Sequence, residues 1–164
     1  VTFLEMLVTL AIIMILASVA LPLTKHTSKR TKELELRQTL RQMRMAIDEF
    51  HRDWARDGDL LTGPQCVKNK LTCKEVTGVT GYPKTLKTLL EIELSGGEAA
   101  VGGTIPVRRY LRQIPIDPIT GAKEWALRCY QDSTDTREWC SEDVFDVHST
   151  STEEAIDGSA YRDW

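Results

Sequence analysis

Apolar and polar positions divide this chain into three regimes. From Met6 to Thr24 the sequence reads MLVTLAIIMILASVALPLT, an almost continuous apolar run without a charge. Its roughly 19 residues make about 29 Å of helix, close to the ~30 Å hydrocarbon core of a bilayer. One carboxylate, Glu5, stands at the near edge of the run, and a proline, Pro22, near its far end. The second regime is periodic. Leu36, Leu40, Met43, Ile47, Phe50 and Trp54 follow one another at alternating intervals of four and three, an apolar stripe along one face of a helix. Arg37, Arg41, Arg44, Asp48, Arg52 and Arg56 fall on the other face, and Gly58 is the expected stop. Residues 1–57 therefore predict one rod of roughly 85 Å. A kink or local unwinding is expected at Pro22, whose ring lacks a backbone donor and crowds the carbonyl of Ser18.

The remainder changes character again. Residues 58–82 are polar and rich in turn formers, and GYPKTLKTLLEIEL predicts a short helix after Pro83, with Leu86, Leu89, Leu90 and Leu94 inward. SGGEAAVGG reads as a flexible loop, and YLRQIPIDPITG as a turn with two prolines around Asp117. EWALRCY alternates, placing Trp125, Leu127 and Cys129 on one side of a strand, and VFDVHS predicts a second strand. Tyr161 and Trp164 close a polar tail and are expected to dock back onto the domain. The expected fold class is α+β: a long N-terminal helix carrying a small head with a short helix and a small antiparallel sheet. Its divisions are an apolar membrane or filament-core helix over 1–24, an amphipathic continuation over 25–57, and a globular head over 58–164.

Composition sharpens this picture. The net charge is −3 and no basic stripe interleaves with aromatics, so nucleic acid is not an expected partner. The four cysteines, Cys66, Cys73, Cys129 and Cys140, have neither CxxC spacing nor neighbouring histidines, which argues against zinc. Two short-loop disulfides, Cys66–Cys73 and Cys129–Cys140, are the expected pairing. Four cysteines allow three connectivities, and four reduced thiols are the alternative. Disulfides imply an oxidising compartment and compensate for a limited core. Lys25, Lys29, Arg30 and Lys32 follow the apolar run and by the positive-inside rule would face the cytoplasm, opposite to the cysteines. The chain starts at Val1, and a removed leader carrying basic residues would resolve the conflict. A secretory signal peptide is the alternative reading of the run, but a basic n-region is missing and the run is long. His26, His51 and His148 are scattered, no GxGxxG, P-loop or GxSxG motif occurs, and no catalytic residues are expected.

The opening TFLEMLVTLAIIMILASVALP, residues 2–22, closely resembles the N-terminus of mature type IV pilins and type II secretion pseudopilins, with a Glu at the fifth position and a Pro at the twenty-second. A looser likeness, to the G-type (major) pseudopilins, runs through RRYLRQIPIDPITGAKEWALR and DVFDVHSTSTEEAIDGSAYRDW. The resemblance implies a pilin-like fold and a structural, non-enzymatic subunit. It implies a prepilin peptidase that cuts a leader and methylates the Val1 amine, where the family usually has Phe. The subunit would wait in the inner membrane with its head in the periplasm. An assembly ATPase and a platform protein, with minor pilins or pseudopilins, would draw it into a helical homopolymer, periplasmic or extracellular.

Within that resemblance, Glu5 is implied to pair with the Val1 amine of a neighbouring subunit and set the register. The alternatives are its own amine or the headgroup level, since an acid near a helix N-terminus is favourable in any case. Pro22, with Ser18, is implied to let the helix kink or melt, although Met14 stands where many members have Gly. The G-type branch holds calcium in its C-terminal loop. Asp143, Asp146, Asp157 and Asp163 supply oxygen donors here, with Asp157 and Asp163 the candidate ligands. Solvated surface acids are the alternative, because the tail carries Thr152, Glu153 and Glu154 in place of the branch's commoner glycines and aspartates. Three uses compete: a secretion pseudopilus, a surface pilus for adhesion or motility, and a membrane-tethered binding module that does not polymerise.

Overall fold

The computed structural model describes residues 2–56, 63–96 and 105–164, with the side chains of 19–25 left out of the description. The first element is one helix, α1, Phe3–Trp54, about 78 Å long at 1.5 Å per residue. It runs unbroken through Ser18 and Pro22, so helix melting is not a feature of this conformation. Among the described residues no helix is long and apolar enough to cross a membrane. The apolar run identified in the sequence continues into residues 19–25, whose side chains lie outside the described set.

The expected stripe is the backbone of the head's core. Leu36, Leu40, Met43, Ile47, Phe50 and Trp54 are all buried. Phe50 stacks on Trp54 and meets Tyr110 edge-on, and the Trp54 indole donates to the Tyr110 hydroxyl at 3.0 Å. Burial and the neighbouring Asp53 push the Tyr110 phenol well above its ordinary pKa, so it stays a neutral hydroxyl. The helix ends at Trp54 with Ala55 turning extended, ahead of the expected Gly58, which lies outside the described residues. Gly63 crosses this helix end so closely that a Cβ there would collide with the Trp54 carbonyl.

Residues 63–82, expected as loop, contain two short helices, α2 (Pro64–Lys68) and α3 (Lys70–Val76). Pro64 starts the first in the one place where a missing N–H costs nothing. The Cys66–Cys73 disulfide ties the two together. Gly81 has φ +85° and presses against Ala55 and the ring of His51, which stacks on Tyr82. After Pro83 a single 3-10 turn, Leu86–Leu89, replaces the expected short helix, with Leu86 and Leu89 buried. Strands β1 (Ile92–Glu93) and β2 (Val107–Arg108) pair antiparallel, a small sheet the sequence reading did not anticipate. The SGGEAAVGG loop between them falls mostly outside the described residues.

The expected hairpin is present. Strand β3 (Trp125–Arg128) pairs antiparallel with β4 (Asp146–Ser149), and Cys129–Cys140 staples the loop between them. The proline–aspartate–proline turn is fastened to this hairpin by Asp117. Its buried carboxylate accepts from the Ile119 N–H at 2.8 Å and from the Ser149 hydroxyl at 2.5 Å. A buried charge is tolerable only when hydrogen-bonded in this way.

His148 on β4 is buried, and its Nδ1 has no hydrogen-bond partner among the described residues. Burial first, and the cation of Arg128 second, hold its pKa below the ordinary 6.5. The unfolded chain therefore takes the proton first. The stabilisation from neutral His148 is complete above the unfolded value and is lost as pH falls through the folded one. Replacing it, His148→Gln, is expected to flatten the fall in melting temperature between about pH 7 and 5. An unchanged slope would mean that the imidazole contributes nothing to the acid sensitivity.

Candidate assembly surface and the C-terminal latch

The two halves of α1 live in opposite environments. From Leu36 onward its apolar face is covered by the head; from Phe3 to Ser18 every residue is exposed. Phe3 is 82 % exposed, and Leu4, Met6, Leu7, Val8, Leu10, Ile12, Ile13, Met14, Ile15 and Leu16 are about half exposed or more. Full burial of each such side chain is worth about 1.5–3 kcal/mol, so on the order of 10 kcal/mol of burial is unrealised here. Isolated exposed apolar residues need no explanation, but a continuous surface of this extent marks contact with lipid or protein.

The polar groups in this half are equally informative. Thr9 donates its hydroxyl to the Met6 carbonyl at 2.9 Å, and Ser18 to the Ile15 carbonyl at 2.7 Å. Both are satisfied within the helix. Glu5, the remaining polar residue between Phe3 and Ser18, has an exposed carboxylate with neither a hydrogen bond nor an ion pair among the described residues. Its place in the first turn is mildly favourable against the helix dipole. Once the surrounding surface is buried, that is not enough, and a donor from outside the helix is required. Val1, the implied partner on a neighbouring chain, lies outside the described residues, as does the side chain of Pro22.

The C-terminal loop is held on the lower part of the head by α1 itself. The Glu33 Oε1 accepts from the Tyr161 hydroxyl and the Ile156 N–H, each at 2.8 Å. Lys29 donates to the Glu154 carbonyl at 2.6 Å. Arg44 donates to Asp146 at 2.6 Å, to the Val147 carbonyl at 3.2 Å and to the Trp164 carbonyl at 2.8 Å. Arg37 stacks over the Trp164 ring, whose N–H donates to Ser159. Tyr161 is fully buried, so both aromatic ends of the tail dock as the sequence suggests. Arg44 and Glu33 were not singled out as a latch, because their partners are more than a hundred residues away in sequence and a solvated face explains them equally well.

The four candidate calcium ligands are dispersed. Asp143 is buried, accepting from Thr80 and from the Tyr130 N–H, and Asp146 pairs with Arg44. Asp157 caps its own turn by accepting from the N–H and hydroxyl of Ser159, which hold its pKa below the ordinary value, and it faces Arg37 at 3.4 Å. Asp163 is exposed beside Arg162. Among the described residues neither Asp157 nor Asp163 belongs to a cluster of three potential metal ligands. The group that does form, Cys129, Asp132 and Cys140, has its two sulfurs bonded to each other.

Comparison with protein-family models, curated proteins and solved structures finds no match to this chain.

The latch gives a direct expectation. Glu33→Ala removes the acceptor of two hydrogen bonds, one from a buried phenol, at a cost of about 1–3 kcal/mol. Amide hydrogen exchange over residues 155–164 should accelerate roughly tenfold or more, with the α1 core unchanged. Unaltered exchange in that loop would show that Glu33 does not hold it.

Proposed function

We propose that this chain is the structural subunit of a type IV pilus-like filament, a type II secretion pseudopilus of the major, G-type class, assembled after prepilin peptidase cleavage and methylation of Val1. One observation carries the reading: the apolar surface of α1 is exposed over residues 3–18, and within that stretch the polar side chain without a partner among the described residues is Glu5. The resemblance of residues 2–22 supplies the mechanism. Before assembly the apolar half sits in the inner membrane with the disulfide-bonded head in the periplasm. On assembly the same surface moves from lipid to the flanks of neighbouring helices, and each Glu5 meets a neighbour's protonated amine.

Disulfides in the head agree with an oxidising compartment. The reading needs no cofactor, and the C-terminal loop, where the resemblance implies calcium, is fastened by Glu33, Lys29 and Arg44. The test is to shear cells of the native host, collect the polymer and take the intact mass of this chain. Subunits beginning at a methylated Val1 are the expected result. Methylated chain confined to the inner membrane fraction fits a short periplasmic pseudopilus, and abundant extracellular polymer from cells without secretion machinery fits a surface pilus. An unprocessed monomer in detergent would replace the reading with a tethered binding module.

A further inference from the structure

Two unpartnered surfaces lie at opposite ends of the head. The upper one is an open groove of about 1000 Å³ over the Cys66–Cys73 loop. Val67, Leu71 and Val79 are among its lining residues and project into solvent, Leu71 74 % and Val79 85 % exposed. Lys70, Lys74 and Lys84 also line it, with Glu142 the acid among the lining residues. The ammonium groups of Lys70 and Lys74 form no ion pair among the described residues, while Lys84 reaches the Lys74 carbonyl. The lower surface is the tip of the C-terminal loop, Glu153-Glu154-Ala155-Ile156-Asp157. Ala155 is buried, Ile156 is half exposed, and the carboxylates of Glu153 and Glu154 are exposed without an ion pair among the described residues.

We propose that this groove receives the C-terminal loop tip of a second copy of the chain, Ile156 against the exposed Val67, Leu71 and Val79, and Glu153 and Glu154 against Lys70 and Lys74. The match is one of sign and of polarity: exposed apolar residues flanked by lysines face an exposed isoleucine flanked by acids. The tip is pre-organised, since Glu33 and the buried Tyr161 already fix its backbone, so little ordering entropy opposes docking. The two surfaces cannot meet within one chain. The groove segment packs at the Trp54–Ala55 end of α1 and the tip packs at Glu33, roughly 30 Å apart along the helix at 1.5 Å per residue. A patch that fits a different patch on an identical chain is a heterologous contact, which is not used up in a two-fold dimer and builds an open helical array wherever its rotation does not close a ring. The inference thus rests on the polymer reading and names the head-to-head contact within it.

The experiment is zero-length carbodiimide coupling on full-length chain, assembled from equal amounts of light and nitrogen-15-labelled subunits, with the cross-linked peptides read by mass. The expected product joins Lys70 or Lys74 to Glu153 or Glu154 and carries mixed labels. Reversing both lysines, Lys70→Glu with Lys74→Glu, is expected to lower polymer yield roughly tenfold, as is Glu153→Lys with Glu154→Lys, and combining all four should restore it. Intact disulfides and unchanged melting serve as the folding check. Polymer that lacks the mixed-label product overturns the docking site and leaves the polymer reading standing. If isolated subunits form no polymer, absence of the product in the detergent-solubilised chain overturns the docking site, and the polymer reading is judged on the filament sheared from the native host.

Discussion

Replacing Glu5 with alanine is expected to remove polymer from the sheared fraction while the chain remains folded and membrane-associated. The head gains nothing from Glu5, which touches none of it, so melting of the head should not move. What changes is the account at the helix ends. In the membrane an acid near the edge costs less than the 2.5–3.5 kcal/mol of the centre. In the proposed filament core it would be paired, and removing one partner of a buried pair leaves the other uncompensated at a cost of about 3–5 kcal/mol. That corresponds to a roughly hundredfold or greater loss of assembly for each contact. Glu5→Gln keeps the shape but not the charge and is expected to fail as well. Normal polymer from either variant would show that the carboxylate does not set the register.

The largest expected effect on stability is at Trp54. Its indole is fully buried, stacks on Phe50 and donates to the Tyr110 hydroxyl, itself held by Asp53. Trp54→Ala opens a cavity where α1, the Gly63 crossing and the Tyr110 segment converge, at a cost of about 3–5 kcal/mol. It also leaves the phenol without its donor. For a head of this size the melting temperature should drop by roughly 15 °C or more. Trp54→Phe, which keeps most of the volume, should recover most of that loss. A shift of only a few degrees for the alanine variant would place the core elsewhere than along the α1 stripe.

Legibility in the sequence follows the physics of range. The α1 stripe, the β3–β4 hairpin and both disulfide pairings are written in local spacing, and each is present as read. Helices α2 and α3 were not legible. Neither has the length for a clear period, and a seven-residue disulfide loop, not propensity, holds them. The β1–β2 pair, two residues per strand, carries no alternation to detect. At the candidate site, the apolar half and Glu5 were visible because nothing among the described residues compensates them. Glu33 and Arg44 were not, because a charged residue on a helix looks the same whether it faces water or a loop from the far end of the chain. The aspartates show the converse: oxygen donors can be counted in sequence, but their convergence is a property of the fold, and here they point to different partners.

The most direct test of the central claim is a helical reconstruction of the sheared polymer at a resolution that shows side chains. The account predicts α1 helices bundled in the interior, residues 3–18 enclosed by neighbours, and each Glu5 carboxylate within about 4 Å of another subunit's Val1 amine, the reach of an ion pair. A polymer in which Glu5 faces solvent or its own amine, or in which the apolar halves do not meet, would contradict it.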